Sequence, residues 1–100
     1  MAELIPPASA VITVDSHPVL PRYVRLRHDT GRQRWVLLAP ERVFSPDETG
    51  LAVLRLCDGR RTVMDIATQL AQEYDADVEQ IAADVIAMLQ DLADKGVVKA

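Results

Sequence analysis

Three side chains in this chain, His17, His28 and Cys57, are of the types that ligate metals or act as nucleophiles. Their spacing suits neither role. They lie far apart in three different contexts, without the ligand-pair spacing that a zinc site uses. Cys57 falls on the apolar face of a predicted helix, near its end. A reactive thiol needs a helix N-terminus or a basic pocket instead, so Cys57 reads as a core residue. Asp75 and Asp77 read as turn and cap residues rather than an acid–base pair. There is no Gly-rich phosphate loop and no nucleotide motif. The expectation is a protein without catalysis of its own, without a metal and without a cofactor, whose work is binding.

Charge says what it can bind. The net charge is −4 over 100 residues, but it is divided. Residues 22–42 hold six arginines against Asp29 and Glu41, near +4, while residues 62–100 hold eight acids against Lys95 and Lys99, near −6. A basic half beside an acidic half makes a polarised surface. The single cysteine excludes an internal disulfide. The first residues lack a signal-peptide pattern, and no apolar run approaches a membrane span. A cytoplasmic location is expected, with no membrane partner.

The elements that must position any site follow from patterning. Residues 1–21 carry Pro6, Pro7, Pro18 and Pro21 among small residues, and read as a flexible N-terminal arm or linker. A short strand over Ala10–Asp15 is the one element that this arm suggests. Residues 22–100 read as one domain. Val24 and Leu26 alternate with Arg25 and Arg27, which is a half-buried strand. Asp29-Thr30-Gly31-Arg32 is a turn in which Gly31 can take positive φ. Trp35–Leu38 is a second strand, apolar on both faces. Ala39-Pro40-Glu41-Arg42 turns the chain into a short third strand, Arg42–Phe44, at the edge of a meander.

Three helices follow. Ser45 is placed to cap the first, with Pro46 at its first position and Glu48 completing a capping box. Val53, Leu54 and Cys57 share its buried face, and Gly59 ends it. Thr62 caps the second helix, with Asp65 at the reciprocal position, and Val63, Ile66, Ala67, Leu70 and Tyr74 follow helical spacing. Asp77 caps the third, with Gln80 opposite. Its stripe is Val78, Ile81, Ala82, Val85, Leu89 and Leu92, and Gly96 stops it. The fold class is α+β, winged-helix-like, with a three-stranded antiparallel sheet followed by three helices. Three helices cover one face of a sheet. The other face, toward which strand two sends two apolar residues, must meet the arm, a second copy of the chain in a homodimer, or a partner.

Winged helices often bind DNA, but phosphate contact needs Lys and Arg on the recognition helix. Here helix three offers Glu79, Asp84, Asp91 and Asp94, and helix two offers Asp65, Glu73 and Asp75. Nucleic acid is therefore not the expected partner. A DNA-binding regulator and a dimerising adaptor domain remain the competing readings. An open strand edge, by contrast, accepts an extended peptide.

Several stretches look familiar together. They are Leu37-Leu38-Ala39-Pro40-Glu41-Arg42, Ser45-Pro46-Asp47-Glu48-Thr49, Val53-Leu54-Arg55-Leu56-Cys57-Asp58-Gly59, Arg61-Thr62-Val63-Met64-Asp65-Ile66 and Leu92-Ala93-Asp94-Lys95-Gly96-Val97-Val98. Over residues 19–100 the chain resembles the PqqD family. The resemblance implies a peptide chaperone of pyrroloquinoline quinone (PQQ) biosynthesis. Such a chaperone binds the ribosomally made precursor peptide PqqA and presents it to the radical SAM enzyme PqqE. The same module serves as the leader-recognition element of many peptide-modifying enzymes, where the leader adds to the third strand and lies against the third helix. Carried onto this chain, that implies a site of Arg42, Val43 and Phe44 with Val85, Met88 and Leu89. The family often has Leu-Asn where this chain has Phe44-Ser45. Some members are fused behind another pathway enzyme, which would suit an arm-like N-terminus.

Overall fold

The computed structural model describes residues 11–100. Strands β1 (Arg25–Asp29), β2 (Arg34–Ala39) and β3 (Arg42–Phe44) are followed by helices α1 (Glu48–Arg55), α2 (Val63–Tyr74) and α3 (Val78–Asp94). The sheet is an antiparallel meander in the order β1-β2-β3. The central strand and the open third strand lie where the apolar pattern put them. Leu26, Leu37 and Phe44 turn inward onto the helices, and Leu37, Val53, Val63, Ile66, Leu70 and Leu89 are fully buried between the layers. Each such side chain contributes roughly 1.5–3 kcal/mol relative to exposure. No polar or charged residue is buried among the described residues.

Local chemistry sets most boundaries, with shifts. Thr62 caps α2 as read: its hydroxyl accepts from the Asp65 N–H at 3.0 Å, and the Asp65 carboxylate accepts from the Thr62 N–H at 2.9 Å. At α1 the cap is Asp47, not Ser45. The Asp47 carboxylate accepts from the Gly50 N–H at 2.7 Å, and its charge suits the helix N-terminus better than a hydroxyl does. Asp77 is the N-cap of α3 by backbone position, but its side chain makes no capping bond. Helix α1 ends at Arg55 with Leu56 as its C-cap, three residues before Gly59. Gly59 does need its freedom: its φ is +80°, its N–H donates to the Pro18 carbonyl at 2.9 Å, and a Cβ there would meet Val19 at 3.4 Å. Gly96, also at positive φ, follows the cap of α3 as expected. In the β1–β2 turn the left-handed residue is Gln33 rather than Gly31, because Asp29 Oδ1 accepts from the Gly31 and Arg32 N–H groups and tightens the first half of the loop.

Composition assigned residues 1–21 to an arm. Residues 1–10 lie outside the described residues, and residues 11–21 are laid against the domain. Ile12 and Pro18 are buried, and the Ile12 N–H donates to Gln90 Oε1 at 2.8 Å. The N–H groups of Val63 and Met64, orphaned at the start of α2, donate to the carbonyls of Ser16 and Val14 at 2.9 and 3.0 Å. Val19 exchanges backbone bonds with Lys99, tying both ends of the described chain together. Residues 11–15 form no strand. The contribution of Val14 and Ser16 is to give α2 acceptors that its own turn cannot supply.

The α1–α2 junction makes a pH prediction. Backbone N–H donors at Thr62 hold Asp65 below its ordinary carboxylate value, and those at Arg61 and Arg60 do the same for Asp58. A depressed folded value means that the stabilisation is complete above the unfolded carboxylate's pKa and is lost as pH falls through the folded one. Urea melts at falling pH should therefore show stability declining in the acid range, and Asp65→Asn should blunt the decline. At neutral pH, Thr62→Ala should cost about 1 kcal/mol.

Candidate peptide-binding site

Strand β3 is short and has only one neighbour, so one side of its backbone is unpaired. Which groups face out follows from the hairpin. Only Pro40 and Glu41 separate Ala39 from Arg42, so those two form the hydrogen-bonded pair that closes the turn. Pairs alternate along an antiparallel ladder. The Arg42 and Phe44 backbones therefore bond inward to β2, while Val43 turns its N–H and C=O to the open edge. Val43 is 62% exposed, Arg42 is exposed and Phe44 is half-buried.

Beside this edge, between β3 and α3, runs an open groove of about 210 Å³. Phe44, Pro46, Met88 and Leu92 form its walls, and Leu37 and Leu54 line its base. Asp91 stands at the rim, held by Lys95 at 2.8 Å, and the Lys95 ammonium lies 6.0 Å from the centre of the Phe44 ring. An added strand would find backbone partners at Val43 and a largely apolar trough for alternate side chains.

Of the residues implied for the site, the structure brings Arg42, Val43, Phe44 and Met88 together along this edge. Val85 and Leu89 are placed elsewhere. Both are buried in the core cluster one turn apart and neither lines the groove; Leu89 is fully enclosed, and Val85 borders only a small hollow of about 60 Å³ among Val53, Leu70 and Tyr74 of the other helices. Met88, on the flank of the same stripe, reaches the groove. Sequence reasoning missed Pro46, Leu92, Asp91 and Lys95. The signal for Leu92 was its place in the α3 stripe one turn beyond Met88. For Pro46 it was its position just after the edge strand.

Cys57 sits in the core, its Sγ donating to the Val53 carbonyl at 3.3 Å. Burial, and to a lesser degree the Asp58 carboxylate, pushes its thiol up to about 12. The folded protein should resist a thiol-specific reagent at neutral pH and react fully in denaturant; fast labelling of the native chain would contradict this placement. Among the described residues no group of three His, Cys, Asp or Glu side chains is arranged to hold a metal ion. No helix among them is long and apolar enough to cross a membrane.

An antiparallel meander with a free edge, three helices behind it and an apolar trough between that edge and the last helix defines a peptide-recognition domain of the RiPP recognition element fold (RiPP, ribosomally synthesized and post-translationally modified peptide). Residues 34–98 match the family model of coenzyme PQQ synthesis protein D (PqqD). The chain belongs to the PqqD family, a family of non-catalytic peptide-binding proteins. It is 58% identical over 91 residues to the PqqA binding protein of Rhodopseudomonas palustris strain BisB5, a match covering 89% of each chain. It is also 55% identical over 82 residues to the bifunctional coenzyme PQQ synthesis protein C/D of Methylorubrum extorquens, covering 82% of this chain and 22% of that larger one. Among solved structures it resembles the PqqD truncation of Methylobacterium extorquens PqqCD, a functional and stand-alone RiPP recognition element. The TM-score is 0.80 at 49% identity, over 92% of this chain and 98% of that one.

Proposed function

We propose that this chain is the PqqA-binding protein of PQQ synthesis in its organism: a RiPP recognition element that takes up the precursor peptide on the edge of β3. The single observation that carries this reading is the outward-facing backbone of Val43 beside the Phe44–Met88–Leu92 groove. The peptide joins the sheet as a fourth strand. Backbone pairing supplies affinity, and the groove selects alternate side chains. The chain then presents the peptide to the radical SAM enzyme PqqE, in the cytoplasm where the peptide is made. It is a binding protein rather than an enzyme.

The DNA-binding reading is disfavoured by charge. Exposed Glu79, Asp84, Asp91 and Asp94 on α3 would meet phosphates with like charge. Fluorescence anisotropy with labelled PqqA and with labelled random duplex, at low ionic strength where electrostatics are strongest, separates the two. Saturable binding of the peptide with none of the duplex is expected. Duplex binding with a steep salt slope, and none of the peptide, would reverse the assignment.

A further inference from the structure

The sheet has a second face that the groove does not use. Cross-strand register sets Arg25, Leu38 and Val43 in one row, Arg27 and Val36 in the next, and Asp29 with Arg34 in the third. This set points away from the helices, because the alternate residues, Leu26, Leu37 and Phe44, pack on the core. Arg25, Arg27 and Arg34 are exposed, and none has a carboxylate within ion-pair distance among the described residues. Asp29, the acid on this face, is engaged by its own turn, accepting from the Gly31 and Arg32 backbone and lying 3.9 Å from the Arg32 guanidinium. Between the arginines lies an apolar strip, Leu38 half-buried and Val43 exposed, beside an open depression of about 330 Å³ bordered by Arg27, Val36 and Leu38.

We propose that this outer sheet face docks an acidic patch on the enzyme that modifies the bound peptide. The proposal rests on the peptide-binding reading above and adds the surface on which the next protein sits. Two observations carry it. The first is charge. Three unpaired guanidinium groups around an apolar strip suit carboxylates, which arginine meets through two parallel hydrogen bonds. The acidic α2–α3 half repels the same partner, so approach is steered to the sheet. The second is continuity with the β3 edge. A strand added beside Val43 would lengthen the row Arg25–Leu38–Val43 by one residue on this same face. A partner seated here touches chaperone and peptide together. Peptide should then raise affinity for the enzyme, and the enzyme should raise affinity for peptide by the same factor.

The test uses the full chain, PqqA and PqqE holoenzyme, with the variants R25Q/R27Q/R34Q and R25E/R27E/R34E. Both variants should melt like the parent and bind PqqA with unchanged affinity. Both should associate with PqqE about tenfold or more slowly, the Glu variant more so. Raising the ionic strength should impose the same loss on the parent. If the Glu variant fails to fold, the Gln variant and single R34E decide the question. Unchanged association with PqqE would overturn the proposal, as would loss of PqqA affinity in a folded variant, since the face would then belong to the peptide site. Two other outcomes would assign the face to another occupant. One is duplex DNA binding, and the other is self-association of the parent, in either case abolished by the substitutions while enzyme binding persists. Failure of the parent to bind PqqA at all is a separate result, and it defeats the underlying reading rather than this surface.

Discussion

Leu89→Ala should lower the folding stability of this protein by about 2–5 kcal/mol, the cost of emptying a fully buried leucine site in a packed core. Leu89 is completely shielded and belongs to the same cluster as Leu37, Ile66 and Leu70, so the cavity would open between the sheet and two helices. A domain of this size has about 5–15 kcal/mol of stability in total. The melting temperature should fall by about 4–8 °C for each kcal/mol lost. Met88→Ala makes the contrast. Met88 is half-buried at the groove, so its loss should weaken peptide binding with a much smaller effect on the melt. If Leu89→Ala left the melt unchanged and weakened peptide binding instead, Leu89 would have to be returned to the site.

Val43→Pro should leave the sheet folded and cost peptide affinity about tenfold to a hundredfold. Proline removes the one N–H that β3 turns outward, and its ring crowds the approaching strand. Leaving the peptide carbonyl buried without its donor costs about 1–3 kcal/mol, and each 1.4 kcal/mol is about tenfold in affinity. Phe44→Pro removes an N–H that points inward to β2 and a ring that walls the groove, so it should damage the fold itself. Circular dichroism and thermal melts separate the two cases. A well-folded Val43→Pro variant that binds PqqA like the parent would exclude strand addition at this edge.

The parts legible in the sequence were those decided by short-range chemistry. Arg42–Phe44 stood out as a strand because a proline turn precedes it and a helix start follows closely. The start of α2 was legible because Thr62 and Asp65 satisfy each other within three residues. Long-range packing was not legible. Prolines suggested a loose arm, yet Pro18 and Ile12 are buried, and the carbonyls of Val14 and Ser16 complete a helix some fifty residues away. The cap of α1 moved from Ser45 to Asp47 because two positions flanking Pro46 offered acceptors and only geometry chose between them. In the site, the edge strand was readable and its wall only partly so. An apolar stripe on α3 serves both core and groove, and sequence spacing cannot tell which side Val85, Met88 and Leu89 each take. The family resemblance supplied strand and helix but not this division.

The measurement that bears most directly on strand addition is amide hydrogen exchange at Val43, followed by NMR as PqqA is added. In the free protein this N–H faces the open edge and should exchange quickly. With peptide bound it should become protected, with the largest shift changes over Arg42–Phe44 and at Met88 and Leu92. A Val43 amide that exchanges just as fast at saturating peptide, with shift changes gathered away from β3, would contradict the account.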